Sequence, residues 1–320
     1  MTFSIVIPAY NGSKYIEKTI LSALGQNRKA DEIIVHDDNS SDTTSQICKK
    51  YSNEISYQYN PDGPSGFVNG WNKAIKLSSS DFISVLHQDD ILYPEFLEKA
   101  EQVLLINPQI RHLFSLCEYI DAEENTIISN KVIKKLDYVQ NQFIVYKGLD
   151  YVKAYQKKYG LAPHIHRCPG VLTHRTIFEE GCWYNPMAGH IADDDFFYRA
   201  GQFTDVIGIM KPLAAYRHHI ESETGKTDDI LLSKRLSADY LYQLKQWKNS
   251  NFIDRDALSY FERNALKFLK RFSAYAFKKK DAQLKKDASI LFNNIEQYDL
   301  FNKYPCTTMK LLIIQLLNKI

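Results

Sequence analysis

Four short apolar runs punctuate the first ninety residues: Phe3 to Pro8 (FSIVIP), Glu32 to His36 (EIIVH), Ile55 to Tyr59, and Phe82 to Leu86 (FISVL). Their length and their β-branched and aromatic content predict strands. Between them the period lengthens. Tyr15, Ile16, Ile20, Ala23 and Leu24 recur at three- and four-residue spacing, and SSDTT offers N-cap side chains for a helix reaching about Tyr51. From Phe67 to about Ser78 the pattern is helical again. Strands alternating with helices of this length predict βαβ units and a mainly parallel sheet covered on both faces. Beyond about residue 226 the strand signals stop. There Leu266, Leu269, Phe272 and Ala276 make a helical apolar stripe, Lys267, Lys270, Arg271 and Lys278 to Lys280 crowd the other faces, and TTMKLLIIQLLNKI closes the chain.

In parallel α/β sheets ligands collect beyond the carboxyl ends of the strands. Three polar clusters fall there: Ala9-Tyr10-Asn11, Asp37-Asp38-Asn39, and Asp89-Asp90 in LHQDDIL. A nucleotide is the natural candidate, yet neither G-x-G-x-x-G nor G-x-x-x-x-G-K-[ST] is present, and Gly63, Gly66 and Gly70 have the wrong spacing for either. Dinucleotide dehydrogenases and P-loop enzymes are therefore poor fits. Without a glycine-rich anion cradle the phosphates need another positive charge, and a divalent metal held by aspartates supplies it. Such a cation also relieves the repulsion between Asp89 and Asp90.

With 320 residues, 44% hydrophobic and 13% aromatic, the chain has material for one large domain or a domain plus a substantial appendage. No run reaches the roughly 18 to 20 apolar residues that span a bilayer, and Met1 leads straight into a strand without a basic n-region. The expectation is a cytoplasmic protein. Five scattered cysteines without C-x-x-C argue against a disulfide scaffold or zinc ribbon, and His164, His166 and Cys168 in HIHRC fit strand alternation as well as a metal site. The net charge of +2 conceals a division. Residues 231–320 hold 17 Lys+Arg against 8 Asp+Glu, net +9, leaving 23 against 30, net −7, for residues 1–230. An acidic first part suits a metal and its anionic ligand; a basic tail suits an anionic surface. No base-reading motif accompanies that tail, so nucleic acid is not an expected partner.

Five segments, in order, resemble the inverting family 2 glycosyltransferases of the GT-A fold: SIVIPAYN, EIIVHDDNSSDTT, FISVLHQDDILYP, IADDDFFYR and YRHHIES, across roughly residues 3 to 222. The resemblance implies an α/β, Rossmann-like mixed sheet flanked by helices, with a helical C-terminal extension. It implies a glycosyltransferase domain over 1–226, divided into a nucleotide-sugar half (1–118) and an acceptor half (119–226), followed by a basic helical region, 227–320. It further implies that Pro8, Ala9, Tyr10 and Asn11 border the nucleobase, that Asp38 hydrogen-bonds it, and that Asp89 serves the ribose or a water ligand. Asp90 and His219 are the implied ligands of Mn2+ or Mg2+. Asp193, with Asp194 as fallback, is the implied base that takes the acceptor hydroxyl's proton. An acidic first helical turn is the plainer account of the Asp193-Asp194-Asp195 run, but dipole stabilisation under about 1 kcal/mol per charge does not call for three repelling carboxylates. Two positions depart from the family pattern: His87 stands where an aspartate is common, and Trp71 where arginine is common before Asn72. The expected reaction moves a sugar from a nucleoside-diphosphate donor, of uridine type, to a glycan or lipid-linked glycan. The alternatives are an inactive nucleotide-sugar-binding protein and a glycoside hydrolase. A lipid-linked acceptor and a basic tail together imply peripheral contact with the anionic inner face of a membrane.

Overall fold

The computed structural model describes residues 1–127, 143–148, 150, 168–222, 229–248, 255–279 and 281–296. His164, His166, Lys280 and the closing segment 307–320 lie outside these residues. The chain forms two compact units, Met1–Tyr184 with Phe196–His219, and Asn185–Asp195 with Ile220–Ile320.

The first unit opens with the expected alternation: β1 (Phe3–Ala9), α1 (Ile16–Leu24), β2 (Glu32–Asp37), α2 (Thr44–Lys49), β3 (Ser56–Tyr59), α3 (Phe67–Leu77) and β4 (Phe82–Val85). β5 (Ile91–Leu92), α4 (Phe96–Leu105), β6 (His112–Ile120), β7 (Phe143–Tyr146), β8 (Val171–His174) and α5 (Arg175–Glu179) follow; then come α6 (Ala192–Ala200) and β9 (Val206–Arg217). The described strands make one sheet in the order β3-β2-β1-β4-β8-β6-β9-β5, with β7 also on β9. β3, β2, β1 and β4 run parallel, whereas β8 is antiparallel to both β4 and β6. The sheet is thus mixed, flanked by helices.

Strand alternation explains the layers. Phe3, Ile5, Ile7 and Ala9 of β1 and Ile33 and Val35 of β2 share a core with Ile16, Ile20 and Ala23 of α1, Cys48 of α2 and Phe96, Leu97 and Ala100 of α4. Val6 and Ile34 point the other way, to the face covered by Val68, Ala74 and Ile75 of α3. The α2 start differs in detail from the expected capping. Thr43 at the N-cap makes no side-chain cap; the Asp42 carboxylate accepts the Thr44 N–H at 3.0 Å and the Ser13 N–H at 3.0 Å.

β9 changes partners halfway. Its first residues pair with β7, Ala214 and Ala215 pair with β5, and its register against β6 shifts around Leu116, opposite Pro212. Proline cannot donate to a ladder, so the irregularity falls where the missing N–H costs least.

The second unit contains a 3-10 turn (Pro186–Ile191), the first residues of α6, and three helices, α7 (Asp229–Lys248), α8 (Arg255–Lys279) and α9 (Ala282–Glu296). Leu266, Leu269, Phe272 and Ala276 of α8 are buried, and Tyr240 stacks on Phe268 at 5.8 Å. The apolar stripe is therefore core. Ile220 opens the C-terminal part of this unit, and Asn185–Asp195 belongs to it through the packing of the 3-10 turn on α7. Among the described residues no helix is long and apolar enough to cross a membrane.

Candidate functional site

Three turns at the carboxyl ends of β1, β2 and β4 are laced together. Asn11 (φ 49°) and Asn39 (φ 73°) adopt the left-handed conformation that asparagine tolerates. Asn11 N–H donates to Ser40 Oγ at 2.8 Å, and Asn11 Oδ1 accepts the Ser41 N–H at 2.8 Å. Gln88 completes the lacing by accepting the Tyr10 N–H at 2.8 Å and donating to the Tyr10 carbonyl at 3.1 Å. Gln88 also leans over Gly12, where a Cβ would lie 2.2 Å from its Oε1, so a side chain at position 12 would displace the Gln88 amide.

Of the residues expected to border a nucleobase, Tyr10 is 46% exposed and Asn11 is exposed, Pro8 is half-buried, and Ala9 belongs to the core. Tyr10 is the ring that offers a free surface. Asp37 is buried, accepting the Tyr57 hydroxyl at 2.6 Å and the Ser40 N–H at 2.8 Å. Burial, with the Asp37 hydrogen bond, holds the Tyr57 hydroxyl well above the usual phenol range. Asp38, also nearly buried, accepts Asn60 Nδ2 at 2.7 Å, the Ser65 N–H at 2.6 Å and Ser65 Oγ at 2.9 Å, with Lys73 Nζ 3.9 Å away. Its carboxylate thus shapes the 60–65 loop. His36, on the same strand face, escaped sequence reasoning; burial lowers its pKa, against the opposing pull of Asp38.

The two adjacent aspartates, in the turn between β4 and β5, meet different partners. Asp90 is 0% exposed, and its Oδ1 accepts the Arg217 N–H at 2.8 Å. Asp89 Oδ2 lies 2.8 Å from His219 Nε2, and the two side chains are 19% and 6% exposed. The imidazole of His219 meets Asp89, and Asp90 accepts from the main chain of β9. Among the described residues no cluster of three or more His, Cys, Asp or Glu could hold a metal ion. Asp89 and His219 are thus a partly buried carboxylate–imidazole pair in hydrogen-bond contact.

Arg217 holds this pair in place and was not singled out by the sequence pattern. Its buried guanidinium donates from Nε to the Asp89 carbonyl at 2.8 Å, from Nη1 to the Asp121 carbonyl at 3.3 Å and from Nη2 to Glu124 at 3.1 Å. It lies 4.8 Å from the Tyr15 ring, which in turn contacts the His219 ring at 4.4 Å. Lys18, first, and Arg217 draw the Glu124 carboxyl below its ordinary pKa. The two departures from the family pattern touch: Trp71 stacks on His87 at 4.6 Å and 26°, with Phe67 and Tyr184 edge-on to the indole. Asn72 beside Trp71 exchanges two hydrogen bonds with the Tyr184 main chain.

Asp193, Asp194 and Asp195 occupy the first turn of α6, Asp195 buried and the other two half-buried. They belong to the second unit. His218 is exposed, and its N–H donates to the Ile120 carbonyl at 2.8 Å.

A mixed α/β sheet with polar turns at the carboxyl ends of its parallel strands, one of them carrying an Asp-Asp pair, is a GT-A-type glycosyltransferase fold. Residues 4–110, about a third of the chain, match the model of Glycosyl transferase family 2. An uncharacterized glycosyltransferase of Rickettsia typhi is 40% identical over 101 residues, 32% of this chain and 31% of the relative. A chondroitin synthase of Escherichia coli is 33% identical over 128 residues, 40% of this chain and 18% of the synthase. The matches thus span about a third or less of these relatives' length. The crystal structure of S. aureus TarS 1-349 in complex with UDP-GlcNAc superposes with a TM-score of 0.61 at 16% identity, over 93% of this chain and 81% of that one.

Proposed function

We propose that the chain is an inverting, divalent-metal-dependent glycosyltransferase that moves a sugar from a uridine diphosphate donor to a hydroxyl of a glycan or lipid-linked glycan. The observation that carries this reading is the carboxylate–imidazole pair, Asp89 and His219, 2.8 Å apart and held by Arg217, with Asp89 inside the segment that matches the family 2 model. The UDP-GlcNAc in the TarS complex supports a uridine donor, and the chondroitin synthase relative supports a glycan acceptor.

A bound Mn2+ or Mg2+ supplies positive charge against the donor's diphosphate. In this reading Asp89 and His219 would hold the ion, and the exposed Tyr10 ring offers a face to the nucleobase. Asp38 keeps the 60–65 loop in shape and gives its remaining acceptor capacity to a base N–H. Asp193, or Asp194 in its place, takes the acceptor's proton as the new oxygen–carbon bond forms and the carbon–phosphate-oxygen bond breaks. One displacement inverts the anomeric centre without a covalent sugar–enzyme intermediate. The basic helical unit has an anionic membrane surface as its partner, at the cytoplasmic face.

Calorimetry with UDP tests the metal. Binding is expected to be strong in Mn2+ and weak in EDTA, and equal affinity in the two would overturn the metal-dependent reading. Asp193→Asn is expected to abolish sugar transfer and leave UDP binding unchanged; near-normal turnover would remove Asp193 from the base role.

A further inference from the structure

The segment that leads into Asp193 is pinned by one residue of α7. At Gly189 the backbone turns through φ 57° and ψ −127°, a region closed to most side chains. A Cβ there would lie 2.6 to 2.7 Å from all three terminal atoms of the Asp239 carboxylate. The next residue, His190, donates its N–H to Asp239 Oδ2 at 3.0 Å and places Nδ1 3.4 Å from the same oxygen. Ala188 and Ile191 on either side are buried. The backbone and the carboxylate therefore interlock: the turn must be glycine for Asp239 to approach, and Asp239 must approach for the His190 N–H to be satisfied.

We infer that Asp239 is the positioning residue for the base, so that the C-terminal helical region is a working part of the catalytic apparatus. The inference rests on Asp193 being the base. Asp193 lies three residues beyond His190 along continuous helical backbone, the 3-10 turn passing directly into α6. Helical backbone advances by a fixed rise and rotation per residue, so anchoring His190 sets the direction in which the Asp193 carboxylate points. Without the anchor, Gly189 regains its wide conformational range and the first turn of α6 frays. Misplacing a catalytic group by about 1 Å costs on the order of a hundred-fold in rate, while groups that bind the donor are unaffected.

The test compares full-length Asp239→Ala, Asp239→Asn and Gly189→Ala with the parent chain, using UDP-GlcNAc turnover in Mn2+, UDP calorimetry and hydrogen exchange of the 189–195 peptide. Asp239→Ala and Gly189→Ala are expected to lower kcat by about ten-fold or more, with KM for the donor and the UDP Kd unchanged, and to speed exchange at His190. Asp239→Asn keeps an oxygen for the His190 N–H and is expected to recover most of the rate. Unchanged exchange in Asp239→Ala, unchanged kcat despite faster exchange, or a simultaneous loss of UDP binding would each overturn the inference. So would Asp239→Asn being as impaired as Asp239→Ala. If Asp193→Asn leaves turnover intact, the base assignment fails first, independently of Asp239.

Discussion

Asp89 and Asp90 are chemically identical neighbours with different work, and the difference is burial. Asp90 satisfies the Arg217 N–H out of reach of water, so removing it strands a buried donor at about 1–3 kcal/mol. Asp90→Ala is expected to lower the urea midpoint accordingly. Asp89→Ala is expected to abolish the Mn2+ dependence of UDP binding; if Asp90→Ala does so in its place, the metal returns to Asp90. Trp71 and His87 make a second residue-scale case. Their stack replaces the charged side chains common at both positions in the family, which makes them a coupled pair. A double-mutant cycle of Trp71→Ala and His87→Ala is expected to show about 0.5–1.5 kcal/mol of coupling in stability, and additivity would refute it.

At the scale of elements, the amino end of the sheet is joined through one carboxylate. Glu32, opening β2, accepts from the Ser4 and Ser79 hydroxyls, from the Ser79 N–H at 2.9 Å and from the Ser80 hydroxyl at 3.1 Å, linking β2 to β1 and to the segment before β4. Burial alone would raise its pKa, but these bonds outweigh burial and bring it down to about 2 from the ordinary 4.5. The folded value lies below the unfolded one, so the contribution is present in full above about pH 4.5 and is lost as pH falls toward 2. Glu32→Gln is expected to be less stable than the parent at pH 7 and to show a shallower loss between pH 4.5 and 2, followed by urea unfolding at each pH. Equal slopes would show that Glu32 is not the titrating link.

On the scale of the whole molecule, the charge division matters more than the net +2. The α8 stripe is buried within the helical unit, so insertion of that face into lipid is excluded as a means of docking. Lys267, Lys270, Lys278 and Lys279 are exposed, and attraction to an anionic surface is worth about 1 kcal/mol for each basic residue near it. The chain is expected to co-sediment with phosphatidylserine vesicles at low salt and to release at high salt. Lys278→Glu with Lys279→Glu is expected to weaken the binding. Absence of binding at low salt would restrict the helical unit to its structural and positioning roles.

Periodicity alone determined the strands and helices of the first ninety residues, because each buries a face whose spacing of 2.0 or 3.6 is written in consecutive residues. Motif order likewise placed the polar turns at the carboxyl ends of the strands. Which aspartate of Asp89-Asp90 faces His219 was decided only in three dimensions, since the choice depends on how β9, more than a hundred residues later, docks its Arg217 N–H and guanidinium against the turn. The same holds for the Asp193 segment. Nothing in the spacing of IADDDFFYR reveals Asp239, which is joined to His190 across 49 residues by one N–H and by the space that Gly189 leaves open. Local pattern encodes what a residue must bury; contacts between distant segments decide what it is left free to bind.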